Sequence, residues 1–191
     1  MHQVVDVDFA DHGQYCLVPL ENLPILDEAL LTGDPSSGGL GYSIPDLAFM
    51  SGLMVPYGGL RDIELQPGQT VVVAPATGPF GGAAVLVALA MGAKVIAMGR
   101  NVARLQELKK RAPTPERIET VPITGDMEAD RAEIVKYGEV DAYFDIGPPE
   151  AAKSTHIMSC MLALRHGGRV SLMGGYRESK SIYDTTSAVL F

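Results

Sequence analysis

The stretch VVVAPATGPFGGAAVLVALAMGAKVIAMGRN, residues 71–101, decides the fold. Val71-Val72-Val73-Ala74 reads as a short buried strand, and KVIAM, residues 94–98, as a second. Between them, Gly81–Met91 has the length and the small apolar residues of a buried helix. The turn joining first strand to helix is Ala76-Thr77-Gly78-Pro79-Phe80-Gly81. It keeps the spacing G-x-G-x-x-G, with alanine at the first glycine. In that pattern the first glycine shapes the turn, the second lets backbone approach a pyrophosphate, and the third lets helix pack on strand. Gly78 and Gly81, with the strictest steric roles, are present. Backbone N–H groups at a helix start suit a phosphate, and the Thr77 hydroxyl adds a donor.

Outward from this stretch the alternation continues. Asn101 reads as the N-cap of a helix with Val102, Leu105 and Leu108 on one face. Lys109, Lys110 and Arg111 fill its last turn, where positive charge suits the helix dipole, and Pro113 stops it. A strand over Thr120–Ile123 and a helix over Met127–Tyr137, closed by Gly138, follow. Asp141–Ile146 is the fourth strand. A helix from Pro149 through Leu164 stops at Gly167-Gly168, and Arg169–Met173 is the fifth strand. Five strands separated by helices predict an α/β fold, a doubly wound parallel (Rossmann) sheet. The first 60 residues differ. Leu17–Leu20 is strand-like, Asp34–Gly39 a loop, and Ile44-Pro45-Asp46 opens a helical run over Leu47–Met54.

The end of the second strand bears on the cofactor. About 20 residues beyond the turn an NAD site places an acid on the adenosine ribose, whereas this chain has Gly99-Arg100-Asn101. Without the carboxylate, a 2′-phosphate meets no repulsion, and a guanidinium can bind it in bidentate fashion. The expectation is NADP(H), with Arg100 as main contact and Arg104 one helical turn on as a second. The competing readings make Arg100 a solvated surface arginine, or the site an NAD-preferring one with its acid substituted. Pro79 and Phe80 in the turn, and Ile146 and Gly147 after the fourth strand, complete the expected cofactor contacts.

Composition bounds the rest. The chain has 191 residues, 47% hydrophobic, with a formal charge of −8. That length buries a core without disulfides or metals, and the acidic balance argues against nucleic acid or an anionic membrane as partner. Cys16 and Cys160 form no C-x-x-C pair and read as free thiols of a reducing compartment. No basic-then-apolar leader follows Met1, and the longest apolar stretch is shorter than the ~20 residues of a membrane span. The expectation is a soluble, cytoplasmic protein.

PYGGLRDIELQPGQTVVVAPATGPFGGAAVLVALAMGAKVIAMGRN, residues 56–101, resembles the medium-chain dehydrogenase/reductase family of zinc-type alcohol dehydrogenases and quinone reductases. Pro67-Gly68-Gln69-Thr70, the A-x-G-x-x-G turn and HGGRVSLMGG (residues 166–175) are in its register. GQYCLVPLENLPIL (residues 13–26) is similar to the last strand of its catalytic domain. The resemblance covers roughly residues 11–176 and is closest to fungal-type members. It implies a nucleotide-binding half, residues 61–176, preceded by a remnant of the catalytic domain and connecting helix, residues 1–60, and followed by a divergent tail, residues 177–191. A full member is nearly twice as long, and its missing domain supplies the first zinc ligands. Here only His2, His12 and Cys16 precede the nucleotide domain. Ser51 stands where a third ligand is expected, and Asp46 is out of register, so no zinc is expected.

Other candidates stay open. His156 reads as a packed or capping residue more readily than a catalyst. Asp145 points to the cofactor edge or stabilises the turn before Gly147-Pro148. The methionines Met50, Met54, Met91, Met98, Met158, Met161 and Met173 fill the core or line a groove. The leading reading is a truncated NADP(H)-binding alcohol dehydrogenase-like oxidoreductase, acting without zinc on a small carbonyl or alcohol, and homodimeric. The alternatives are a repurposed fold that binds an apolar small molecule for a non-redox isomerase, cyclase or dehydratase step, and a non-catalytic partner protein.

Overall fold

Buried parallel strands need apolar residues on both faces, and the three central strands of this chain supply them. The computed structural model describes Glu21 and residues 25–174; the expected strand at Leu17–Leu20, Cys16, His2, His12 and the 177–191 tail lie outside the described residues. The chain divides into two units, Met1–Ala48 and Phe49–Phe191.

In the first unit, α1 (Glu28–Thr32) starts at Asp27, whose side chain accepts the Leu30 N–H. The expected loop at 34–39 is a tight 3₁₀ turn, Pro35–Ser37, capped by Asp34 and closed by Gly38 at φ +92°. Helix α2 (Ile44–Asp62), which from Phe49 on belongs to the second unit, begins with a capping box: Asp46 accepts from both the backbone N–H and the hydroxyl of Ser43. Asp46 is thus engaged in starting a helix. That helix runs eight residues past the expected end at Met54, through Pro56.

The second unit holds β1 (Thr70–Ala74), α3 (Pro79–Ala90), β2 (Lys94–Gly99), α4 (Val102–Arg111), β3 (Ile118–Pro122), α5 (Met127–Val135), β4 (Val140–Asp145), α6 (His156–Ala163) and β5 (Leu164–Leu172). All pairings are parallel, in the order β3-β2-β1-β4-β5. The expected doubly wound sheet is therefore present. Alternation along β1 separates two cores. Val71 and Val73 pack with Leu60, Ala84, Ala88 and Leu105, while Val72 and Ala74 pack with Ile134, Ile157 and Cys160. The strand order reverses at β1, whose successors run outward as β2-β3 on one side and β4-β5 on the other, so the crevice of the fold lies at the carboxyl ends of β1 and β4.

Further boundaries depart from expectation: β3 starts two residues before Thr120 and α5 ends two before Tyr137. The helix after β4 is broken into a 3₁₀ turn, Pro149–Lys153, and α6. Gly167 and Gly168 lie inside β5 rather than stopping the helix, where the register to β4 slips between Val140 and Ala142 and Gly167 takes φ +71°. The slip loops out residues 165–168, which a left-handed glycine accommodates. The methionines divide: Met98 is fully buried, whereas Met54 and Met173 are largely exposed. No described helix is long and apolar enough to cross a membrane.

Candidate functional site

The site grows from the turn after β1. Ala76 is fully buried, and its N–H donates to the Met98 carbonyl at 2.6 Å, tying the turn to β2. Among the described residues the only non-glycine with positive φ is Glu64, so position 76 requires no left-handed backbone. Alanine serves where the pattern has glycine. Gly81 is different, because a β-carbon there would strike the Pro75 carbonyl oxygen and lie 2.9 Å from Ala76 Cα. Gly78 is different again: nothing lies within 4 Å of a β-carbon built on it. One glycine serves packing and the other keeps space open.

Gly78 is also the N-cap of α3, Pro79 is its first residue, and no side chain caps the helix. The N–H groups of Phe80 and Gly81 have no intrahelical carbonyl by position, and they add to the positive end of the helix dipole. This arrangement suits an anion.

Two clefts meet here, sharing Gly78 and Pro79. The first, about 450 Å³, is walled by Val55 of α2, Phe80, Ile146 and Gly147 after β4, and Met173 after β5. Its lining is almost wholly apolar. Helix α2 reaches this wall because Gly59 lets it close on the sheet, where a β-carbon would lie 2.7 Å from Phe144 and 2.9 Å from the Ser171 hydroxyl. The second cleft, about 530 Å³, runs between α3 and α4 and includes Thr77, Gly82, Leu86, Arg104 and Leu108.

Of the sequence-predicted residues, Thr77, Gly78, Pro79, Phe80, Gly81, Arg104, Ile146 and Gly147 therefore line the two clefts. Gly99 is buried at the end of β2, behind Thr77. Arg100 is exposed at the rim and lines neither cleft. Asn101 caps α4, its Oδ1 accepting the Arg104 N–H at 3.0 Å. Neither Arg100 nor Arg104 forms an ion pair among the described residues. Val55 and the α4 residues of the second cleft other than Arg104 were not anticipated, because local sequence carries no sign of which distant helix faces the turn.

Asp145 is fully buried on the α6 side of the sheet, with Oδ1 at 3.2 Å from His156 Nε2 and 3.3 Å from the Tyr143 hydroxyl, which donates. His156 is packed, as one of its readings has it. Cys160 lies beside this cluster with Sγ at 3.4 Å from Met98 Sδ. Burial, with the charges of Asp145 and Asp130, pushes its thiol well above the ordinary 9.0, which leaves it protonated and unreactive. No group of three or more metal-binding side chains occurs among the described residues.

No family model matches the chain, and no curated protein matches it. Solved structures do. A quinone oxidoreductase from Thermus thermophilus, also described in complex with NADPH, is 26% identical with a TM-score of 0.52, covering 69% of this chain and 40% of that one. The nucleotide-binding subdomain of the enoylreductase domain of PpsC from Mycobacterium tuberculosis is 25% identical with a TM-score of 0.50, covering 64% of each chain. CurA from Vibrio vulnificus, at 24% identity and a TM-score of 0.55, shares the fold over 72% of this chain and 40% of its own. The chain thus spans two-fifths of the longer neighbours. Its fold is a Rossmann-type α/β fold, similar to that of a quinone oxidoreductase and of the nucleotide-binding subdomain of an enoylreductase.

Proposed function

We propose that this chain binds NADP(H) across the β1–α3 turn, with residues 61–176 as the binding unit. One observation carries the reading: the uncapped start of α3 shares a cleft with Arg104, Arg100 follows Gly99, which packs on Thr77 of the turn, and neither arginine has an ion-pair partner among the described residues. The Phe80 and Gly81 amides would hold the pyrophosphate over the open Gly78. Arg100 and Arg104 would take the 2′-phosphate, where a carboxylate would repel it. The apolar walls of Val55, Ile146 and Met173 would bury the flat nicotinamide ring and exclude water from it. When bound, the cofactor supplies or accepts the hydride.

The reaction class that goes with this reading is zinc-free exchange of hydride with a small carbonyl or alcohol, in a homodimer. The NADPH complex described for the Thermus thermophilus neighbour supports the cofactor. The apolar lining of the first cleft also favours a second reading, an apolar small molecule bound there for a non-redox step. Equilibrium titration of NADPH and NADH by fluorescence separates the two. Saturable binding that prefers NADPH and loses that preference in R100A/R104A supports the first. An apolar ligand that binds while NADPH does not supports the second.

A further inference from the structure

Next in the chain to the cleft residues Ile146 and Gly147 lies a buried hydrogen bond between two side chains that line neither cleft. Asp145 and His156 are both excluded from water, and a polar group so placed must find partners inside the protein. His156 Nε2 meets Asp145 Oδ1 at 3.2 Å, while its Nδ1 has no partner among the described residues. The ring is thus anchored through one atom. Between the two residues runs the segment 146–155, which begins with the cleft residues Ile146 and Gly147 and turns back through the 3₁₀ turn Pro149–Lys153. The bond closes this segment into a loop at its base. The Asp145 carbonyl also accepts the Met173 N–H at 2.8 Å, and Met173 lines the same cleft. Residue 145 therefore joins the β4 wall of the cleft to the β5 wall.

We infer that His156 is a positioning residue: its hydrogen bond to Asp145 fixes the base of the 146–155 loop and so holds Ile146, Gly147 and Met173 as a wall of the cleft. What that wall faces rests on the NADP(H) reading, whereas the holding itself does not. The test uses the full chain and two readouts, amide hydrogen exchange without ligand and NADPH titration. In H156L, exchange at the Met173 and Gly147 amides should rise about tenfold relative to Val72 in β1, and NADPH affinity should fall about tenfold. H156Q, whose amide reaches the place of Nε2, should restore both, whereas H156N, which reaches only the place of Nδ1, should not.

The inference is overturned if Met173 and Gly147 exchange in H156L as in the wild type, or if H156Q behaves as H156N does. Should H156L not fold, the comparison of H156Q with H156N decides. Should the wild type bind no NADPH, the cofactor reading fails while the exchange comparison still judges the role of His156.

Discussion

Thr77 lies directly against Gly99: a β-carbon at position 99 would stand 2.8 Å from Thr77 Cγ2 and 3.2 Å from its Oγ1. The turn and the end of β2 are therefore fitted to each other, and the fit leaves no room for the acidic side chain of an NAD site. Thr77 is β-branched and stiff about χ1, so it cannot swing aside freely. G99A should destabilise the protein by about 1–3 kcal/mol, as overpacking does. T77S, which removes the crowding methyl, should recover part of that loss. Urea denaturation of the four chains of a double-mutant cycle checks this; additive effects would contradict it.

The two glycines of the turn should fail in different ways. G81A places a methyl on the rigid Pro75 carbonyl and should cost more than about 3 kcal/mol, or about 10 °C in Tm. G78A fills open space at φ −87°, which alanine adopts readily. Its Tm should stay within about 2 °C of wild type, while NADPH affinity falls at least about tenfold because the methyl occupies the ligand's approach. Thermal melts with and without NADPH distinguish the two.

Arg100 and Arg104 should act on the 2′-phosphate alone. A hydrogen bond to a charged group contributes about 1.5–3 kcal/mol, so R100A or R104A should weaken NADPH binding about 10- to 100-fold and change NADH binding less than about twofold. Raising ionic strength should narrow the difference between the cofactors in wild type and leave the double variant unaffected. Competition titrations at two salt concentrations check both points.

At the opposite end of the sheet, Asp141 joins three strands. Its Oδ2 accepts the Thr70 N–H at 2.8 Å and its Oδ1 accepts from Arg165 Nε at 2.7 Å. Partial burial alone would raise its pKa, but the Thr70 amide and the charges of Arg165 and Arg169 outweigh that and hold it below the ordinary 3.8. A depressed carboxyl stabilises the fold above the unfolded value, and the contribution is lost as pH falls through the folded one. D141N should therefore cost about 1–3 kcal/mol at neutral pH. Wild type and variant should converge below pH 3.8. Urea midpoints measured between about pH 2.5 and 7 test the sign.

The strands were legible because buried parallel strands must be apolar on both faces, as Val71–Ala74 and Val95–Met98 are. The turn was legible because glycine spacing reports backbone geometry directly. What local pattern missed was set by tertiary packing. Helix α2 continues through Pro56 because Gly59 packs it against Phe144 and Ser171. Strand β5 begins at Leu164 because Val140 of β4 pairs with it, ahead of the glycines expected to end a helix. Val55 enters the cleft from a helix whose sequence reads only as a connector. The bond between Asp145 and His156 joins residues that look like a turn and a helix face until the chain folds.

The most direct test of NADP(H) binding at the turn is a ¹H–¹⁵N correlation titration of the full chain with NADPH. The Gly78, Phe80 and Gly81 amides, with those of Arg100–Arg104, should shift together and saturate, and NADH should move the turn while leaving Arg100–Arg104 nearly still. Binding that leaves the turn amides unmoved, or no saturable shift at all, would contradict it.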